Sequence, residues 1–248
     1  MLTAKKPGME EYQGDLPDVE VIEIEVPIMK RLYSLLGIGN ASVKDGAERR
    51  KKRSKLFGLI NRFRIRRGLL VLGRMPDLAD FWIAPALRGV RGRKWDVVIS
   101  TYAPYASHAI AYRLKCNGNV GMWIADFRDG WVCSHNFRGL FPWTVIERCI
   151  ERKFVGLADS VSTVSTQLAE YFTDLGANQP VLIVPNGFDH SPPQEVEKHV
   201  RAPNAPITIT HTGTLYPGNK NLYKFLDGLR LYSRNVTLGD PRVVIQIA

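Results

Sequence analysis

Three short clusters combine residue types that can do chemistry. The first is Asp126-Phe127-Arg128-Asp129-Gly130-Trp131, directly after the apolar run 120–125 (VGMWIA). Carboxylates accept hydrogen bonds from hydroxyl groups, and an indole packs on the apolar face of a sugar ring. The same residues also serve as an Arg–Asp pair that fixes a loop, and the local pattern leaves both readings open. The second cluster is 101–108 (TYAPYASH), where His108 is a candidate proton carrier or a structural histidine near a helix start. The third is 211–220 (HTGTLYPGNK), a Gly-containing turn between a strand and a helix with Lys220 at the helix start. Such turns bind anions through outward N–H groups and the helix dipole, but Gly213 also suits a plain turn for its backbone freedom alone. His135, His190, His199 and His211 are scattered, and no metal-ligand spacing, G-x-S-x-G, Walker or G-x-G-x-x-G motif occurs.

The elements that must position these clusters follow from hydrophobic periodicity. Residues 19–26 alternate as a strand, and Pro27 ends it. Residues 56–72 form a roughly amphipathic helix with a cationic face, and Pro76-Asp77 open the next helix. Short apolar runs at 96–100, 120–125, 160–164 and 181–184 then alternate with helical stretches at 105–114, 140–157 and 165–172. This grammar predicts an α/β fold: a Rossmann-like parallel sheet with helices on both faces. The first and second clusters then fall at the carboxyl ends of strands, where ligands of parallel sheets sit. Residues 186–206 carry four prolines and little apolar content and read as a linker. A strand at 207–210, a helix at 221–232 and a strand at 243–247 open a second, similar domain. The expected domains are thus 1–185 and 207–248, joined by 186–206.

Of 248 residues, 45% are apolar and 23% charged, which suits globular domains and excludes a disordered, collagenous or coiled-coil chain. The three cysteines have no C-x-x-C pair, which argues against a disulfide framework or a Cys-rich zinc site and fits a reducing compartment. No run reaches the length of a membrane span and no signal peptide is visible, so the expected location is cytoplasmic. The net charge of +10 is concentrated: residues 44–94 hold 16 basic and 4 acidic residues, against 18 and 20 elsewhere.

Several stretches together resemble bacterial family 4 glycosyltransferases of the two-domain GT-B fold. They are Pro76-Asp77 with Trp82 and Pro85-Ala86-Leu87, then 95–114 (WDVVISTYAPYASHAIAYRL), 125–131 (ADFRDGW), 147–166 (ERCIERKFVGLADSVSTVST), 184–189 (VPNGFD) and 211–221 (HTGTLYPGNKN). The resemblance covers about 75–248 and implies retaining, metal-independent sugar transfer without a bound cofactor. The donor is a nucleotide-sugar, and the acceptor is lipid-linked or a saccharide, as in surface-polysaccharide assembly. It places Gly213, Thr214 and Lys220 at the donor diphosphate. Asp129 and His108 become the catalytic candidates, with Asp126, Arg128, Trp131 and Tyr102 in the acceptor cleft. Gly130 stands where relatives usually have Pro, and Arg128 where many have His. Relatives begin with a strand and Gly-rich loop ahead of the region matching Leu2-Thr3-Ala4-Lys5, and carry a paired-glutamate motif beyond the region matching residue 248. The chain therefore resembles an interior piece of such an enzyme, with little or no transferase activity expected of it alone. The alternative is a non-catalytic, membrane-docked module that binds sugar or phosphate.

The basic stretch has three readings. Arg62, Arg64, Arg66 and Arg67, beside Leu56, Leu59, Ile60 and Phe63, suit docking on anionic lipid at the inner face of the cell membrane. A solvated face is the bland alternative. Nucleic-acid binding ranks last, since no recognised motif or interleaved stacking aromatics accompany the charge.

Overall fold

The structure is a computed structural model that describes residues 1–4, 19–36, 55–70, 73–134, 137–187, 206–211, 220–234 and 243–247. The chain divides into two compact units, Met1–Asn186 and Gly187–Ala248. In the first, β1 (Leu2–Ala4) pairs in parallel with β2 (Ile22–Ile24), followed by α1 (Pro27–Leu36) and α2 (Lys55–Arg67). Next come a parallel pair, β3 (Leu69–Leu70) and β4 (Arg74–Asp77), and then α3 (Asp80–Gly89). The remainder is β5 (Trp95–Tyr102), α4 (Ala106–Cys116), β6 (Val120–Phe127), α5 (Trp143–Leu157), β7 (Ser160–Thr163), α6 (Thr166–Leu175) and β8 (Leu182–Ile183). These strands make a parallel sheet in the order β5-β6-β7-β8. The molecule is α/β with alternating strands and helices, as the sequence predicts.

Among the described residues, the helices that follow β5, β6 and β7 lie on one face of the sheet. Parallel crossovers are right-handed, so strands added in one direction put their helices on one face. Trp123 and Phe127 share a face of β6, and they meet His108 of α4, Phe154 of α5 and Phe172 of α6. The core lies there, with Trp123, Ala125, Phe127 and Phe172 fully buried. On the other face Val97, Ile99 and Met122 are exposed.

Local boundaries shift for identifiable reasons. Residues 74–77 form β4 rather than a helix start. The Asp77 carboxylate holds the turn on both sides, accepting from Gly73 N at 2.9 Å and Ala79 N at 2.8 Å. The helix after it begins at Asp80. Gly68, at φ 76°, ends α2 early, because a left-handed residue cannot continue a helix. Pro142 delays α5 to Trp143. At α6 both signals act as read: Ser165 Oγ accepts from Leu168 N at 3.4 Å, and Gly176 closes the helix at φ 114°. In the second unit β9 (Ile207–His211), α7 (Lys220–Arg234) and β10 (Val243–Ile247) form one βαβ with parallel strands.

Candidate functional site

The carboxyl ends of β5, β6, β7 and β8 bring together residues from four separate stretches. At the end of β6, Asp126 is nearly buried. Its Oδ1 accepts from Ser162 Oγ of β7 at 2.7 Å, and its Oδ2 from Arg128 Nε at 3.0 Å. Arg128 Nη1 then donates to Asn186 Oδ1 at 2.8 Å, just beyond β8. Thr163 Oγ1 donates to the Phe127 carbonyl at 2.7 Å. A charge-assisted chain therefore ties three adjacent strand ends, and Asp126 is spent on structure. Asp129 is different: it is exposed, and no hydrogen bond or ion pair holds it among the described residues. It is an open carboxylate on a fixed loop.

That loop is braced from below. Arg74 of β4 is 1% exposed and forks onto Glu147 of α5, with Nη2–Oε2 at 2.7 Å and Nε–Oε1 at 3.1 Å. Its Nη1 also donates to the carbonyls of Trp131 at 2.8 Å and Val132 at 3.1 Å. Glu151, one turn along α5, accepts from Val132 N at 3.3 Å and Tyr171 Oη at 2.6 Å. Burial pushes both glutamates above the usual carboxylate range. The Met75 amide and the Arg74 charge oppose that at Glu147, and Tyr171 and the Val132 amide do so at Glu151. Sequence reasoning missed this network. Its visible signal was Glu147 and Glu151, four apart on the face of α5 that also buries Phe154 and Val155.

The remaining cleft candidates lie deeper. The Trp131 ring is fully buried, stacked on Tyr105 at 4.7 Å and near Phe154 at 6.1 Å. From there it anchors the loop and offers no ring face to a sugar. Tyr102, at the end of β5, is also buried, and burial raises its hydroxyl above its ordinary value, so it stays protonated. His108 is fully buried among Trp123, Phe127 and Phe154, with Nδ1 2.6 Å from Ser100 Oγ. Burial pushes its pKa down to about 3, so the ring is neutral near pH 7. It packs the core from a position closed to solvent.

Of the donor-side candidates, Lys220 is the first residue of α7, which follows β9 in the βαβ, while Gly213 and Thr214 lie outside the described residues. On α2, Arg62 and Arg66 are exposed. Arg67 lies 5.5 Å over the Phe63 ring and donates to the Gly139 carbonyl at 3.1 Å, and Arg64 reaches the Leu69 carbonyl at 3.4 Å. Among the described residues no group of three or more His, Cys, Asp or Glu is placed to hold a metal, and no helix is long and apolar enough to cross a membrane.

A family profile described as "Glycosyl transferase 4-like domain" matches residues 46–187, more than half of the chain. Comparison with curated proteins and comparison with solved structures each gave no match.

Proposed function

The chain belongs to the glycosyl transferase 4-like family, and on that premise we propose that the carboxyl edge of β5–β8 is its acceptor cleft, with Asp129 as the reacting-side carboxylate. One observation carries this reading. Of the two carboxylates in the cluster, Asp126 is consumed by Ser162 and Arg128, while Asp129 stands exposed on a loop fixed by Arg74 and Trp131. A free carboxylate held in place can accept a hydrogen bond from an acceptor hydroxyl and raise its nucleophilicity. Arg128, half-buried beside it, supplies positive charge at the same mouth. Tyr102, Trp131 and His108 act from behind, as the wall that keeps the loop in register.

The donor is a nucleotide-sugar whose diphosphate meets Gly213, Thr214 and the start of α7. A helix start and its dipole favour an anion, and Lys220 offsets charge on the departing nucleotide. The acceptor is lipid-linked or a saccharide, transfer proceeds with retention and without a metal, and the setting is surface-polysaccharide assembly in the cytoplasm. The exposed Arg62 and Arg66 of α2, beside the exposed Leu59, Ile60 and Phe63, suit contact with the inner face of the membrane.

The test is product formation, read by mass spectrometry, from UDP- and GDP-sugars with saccharide and glycolipid acceptors. Product whose yield falls at least tenfold (~1.4 kcal/mol) in Asp129→Asn supports transfer at this edge. Since little or no transfer is expected of this chain alone, in the absence of product the outcome rests on saccharide binding: binding weakened in Asp129→Asn supports the reading, and binding unaffected by that change supports the sugar-binding module instead. Product formation unchanged in Asp129→Asn contradicts the assignment.

A further inference from the structure

A second surface on the first unit has the composition of a lipid-binding face. Phe141, in the turn before α5, is 77% exposed, the highest value among the described large apolar side chains. Trp143, Val145 and Ile146 follow it in the first turn of α5 and are exposed as well, Trp143 at 38%. Burying such side chains in water-free surroundings is favourable, so leaving four of them in solvent within six residues calls for a partner.

The charge around them indicates which partner. Residues 137–157 contain two acidic residues, Glu147 and Glu151, and both are fully buried on the inner side of α5. Arg138 and Arg148 are exposed beside the apolar turn. α2 carries no acidic residue at all. The two elements are joined directly: Arg67 Nη1 donates to the Gly139 carbonyl, and Gly139 N donates to the Arg67 carbonyl, each at 3.1 Å. The turn bearing Phe141 is thus bonded to the end of α2.

We propose that the turn at Phe141 and the start of α5 form a membrane anchor, inserting Phe141 and Trp143 into the interfacial region of an anionic bilayer beside α2. Aromatic side chains partition to that depth, and exposed arginines without neighbouring carboxylates meet anionic headgroups. An acidic protein surface would supply the charge but would leave Phe141 and Trp143 in water unless it also carried an apolar patch, whereas an anionic bilayer supplies both. The inference extends the α2 contact proposed above and rests on exposure and charge, not on the transfer chemistry, so it stands or falls separately from Asp129.

The experiment is co-sedimentation of the full chain with phosphatidylcholine vesicles, with and without phosphatidylglycerol, at low and high salt. We expect binding that needs phosphatidylglycerol and weakens with salt. Phe141→Ser with Trp143→Ser should lower it at least about tenfold, and Arg138→Gln with Arg148→Gln should weaken it by a smaller factor. Phe141→Ser alone should leave the thermal midpoint unchanged and still weaken binding, since that side chain is 77% exposed. Brominated lipid should quench tryptophan emission, and Trp143→Phe should remove that quenching while keeping binding. Equal vesicle binding by wild type and the Phe141/Trp143 variant overturns the proposal, as does absence of quenching or of binding. Self-association sensitive to the same variant, with no vesicle binding, also overturns it and assigns the face to a second copy.

Discussion

Asp126 and Asp129 sit three residues apart and do different work. Asp126 accepts from Ser162 and Arg128 in a nearly buried setting, so Asp126→Ala should remove that side-chain tie between β6 and β7 and lower stability by about 1–3 kcal/mol, measured by urea unfolding. Asp129→Asn should leave stability within about 0.5 kcal/mol, because the side chain is exposed and unbonded. His108 gives a pH signature. The unfolded chain takes up its proton near 6.5 and the folded one near 3, so the unfolded state binds more protons between those values. Stability therefore falls as pH drops through that window, by up to about 1.4 kcal/mol per pH unit from this group. Asp80, raised from 3.8 to about 6 by burial, acts with the opposite sign between those values. The difference between wild type and His108→Gln isolates the histidine, and parallel pH profiles would refute the assignment. At this scale the sequence located the cluster at 126–131 because charges and aromatics follow an apolar strand. It did not say which carboxylate is free, since Ser162 reaches Asp126 from 36 residues away and Asn186 reaches Arg128 from 58.

At the scale of elements, the β4–α5–loop brace is the feature with the largest expected cost. Arg74→Met leaves Glu147 buried without its cation, and breaking a buried pair costs about 3–5 kcal/mol. The loop should loosen with it. Cys133, half-buried and pushed up to about 11 by burial and Glu151, should resist alkylation in the wild type, whereas the exposed Cys116 and Cys149 react. Alkylation of Cys133 in folded Arg74→Met, read by mass spectrometry, would show the loop released, and continued protection would refute the brace. Glycines separate backbone strain from crowding. Gly176→Ala, at φ 114° with open space around its Cβ, should cost about 1 kcal/mol. Gly139→Ala, at φ 64° with its added Cβ against Arg74 Nη2, should cost more, because it also displaces the brace. The strands and helices from β5 onward were legible because short apolar runs alternate with helical stretches. β1, three residues long, carries too few residues for a period, and α1 was hidden because Pro27 signals the end of one element as well as the start of another.

Across the whole molecule, charge and apolar surface are segregated in a way that composition alone conceals. The excess of +10 is contributed by residues 44–94, and the exposed part of α2 adjoins a second basic, apolar surface at 138–148. Local pattern could not reveal that adjacency, because Arg67 and Gly139 are 72 residues apart. The α/β class and the order of β5 to β8 were legible, since alternation of short apolar runs and helices admits few topologies. The central claim is that the carboxyl edge of β5–β8 binds the sugar acceptor through Asp129. It is tested most directly by saturation-transfer NMR of the full chain with a panel of saccharides and glycolipids, wild type against Asp129→Asn. The account predicts saturable binding that weakens at least tenfold (~1.4 kcal/mol) in the variant at unchanged thermal stability. Binding of equal strength in both proteins, or no binding of any member of the panel, would contradict it.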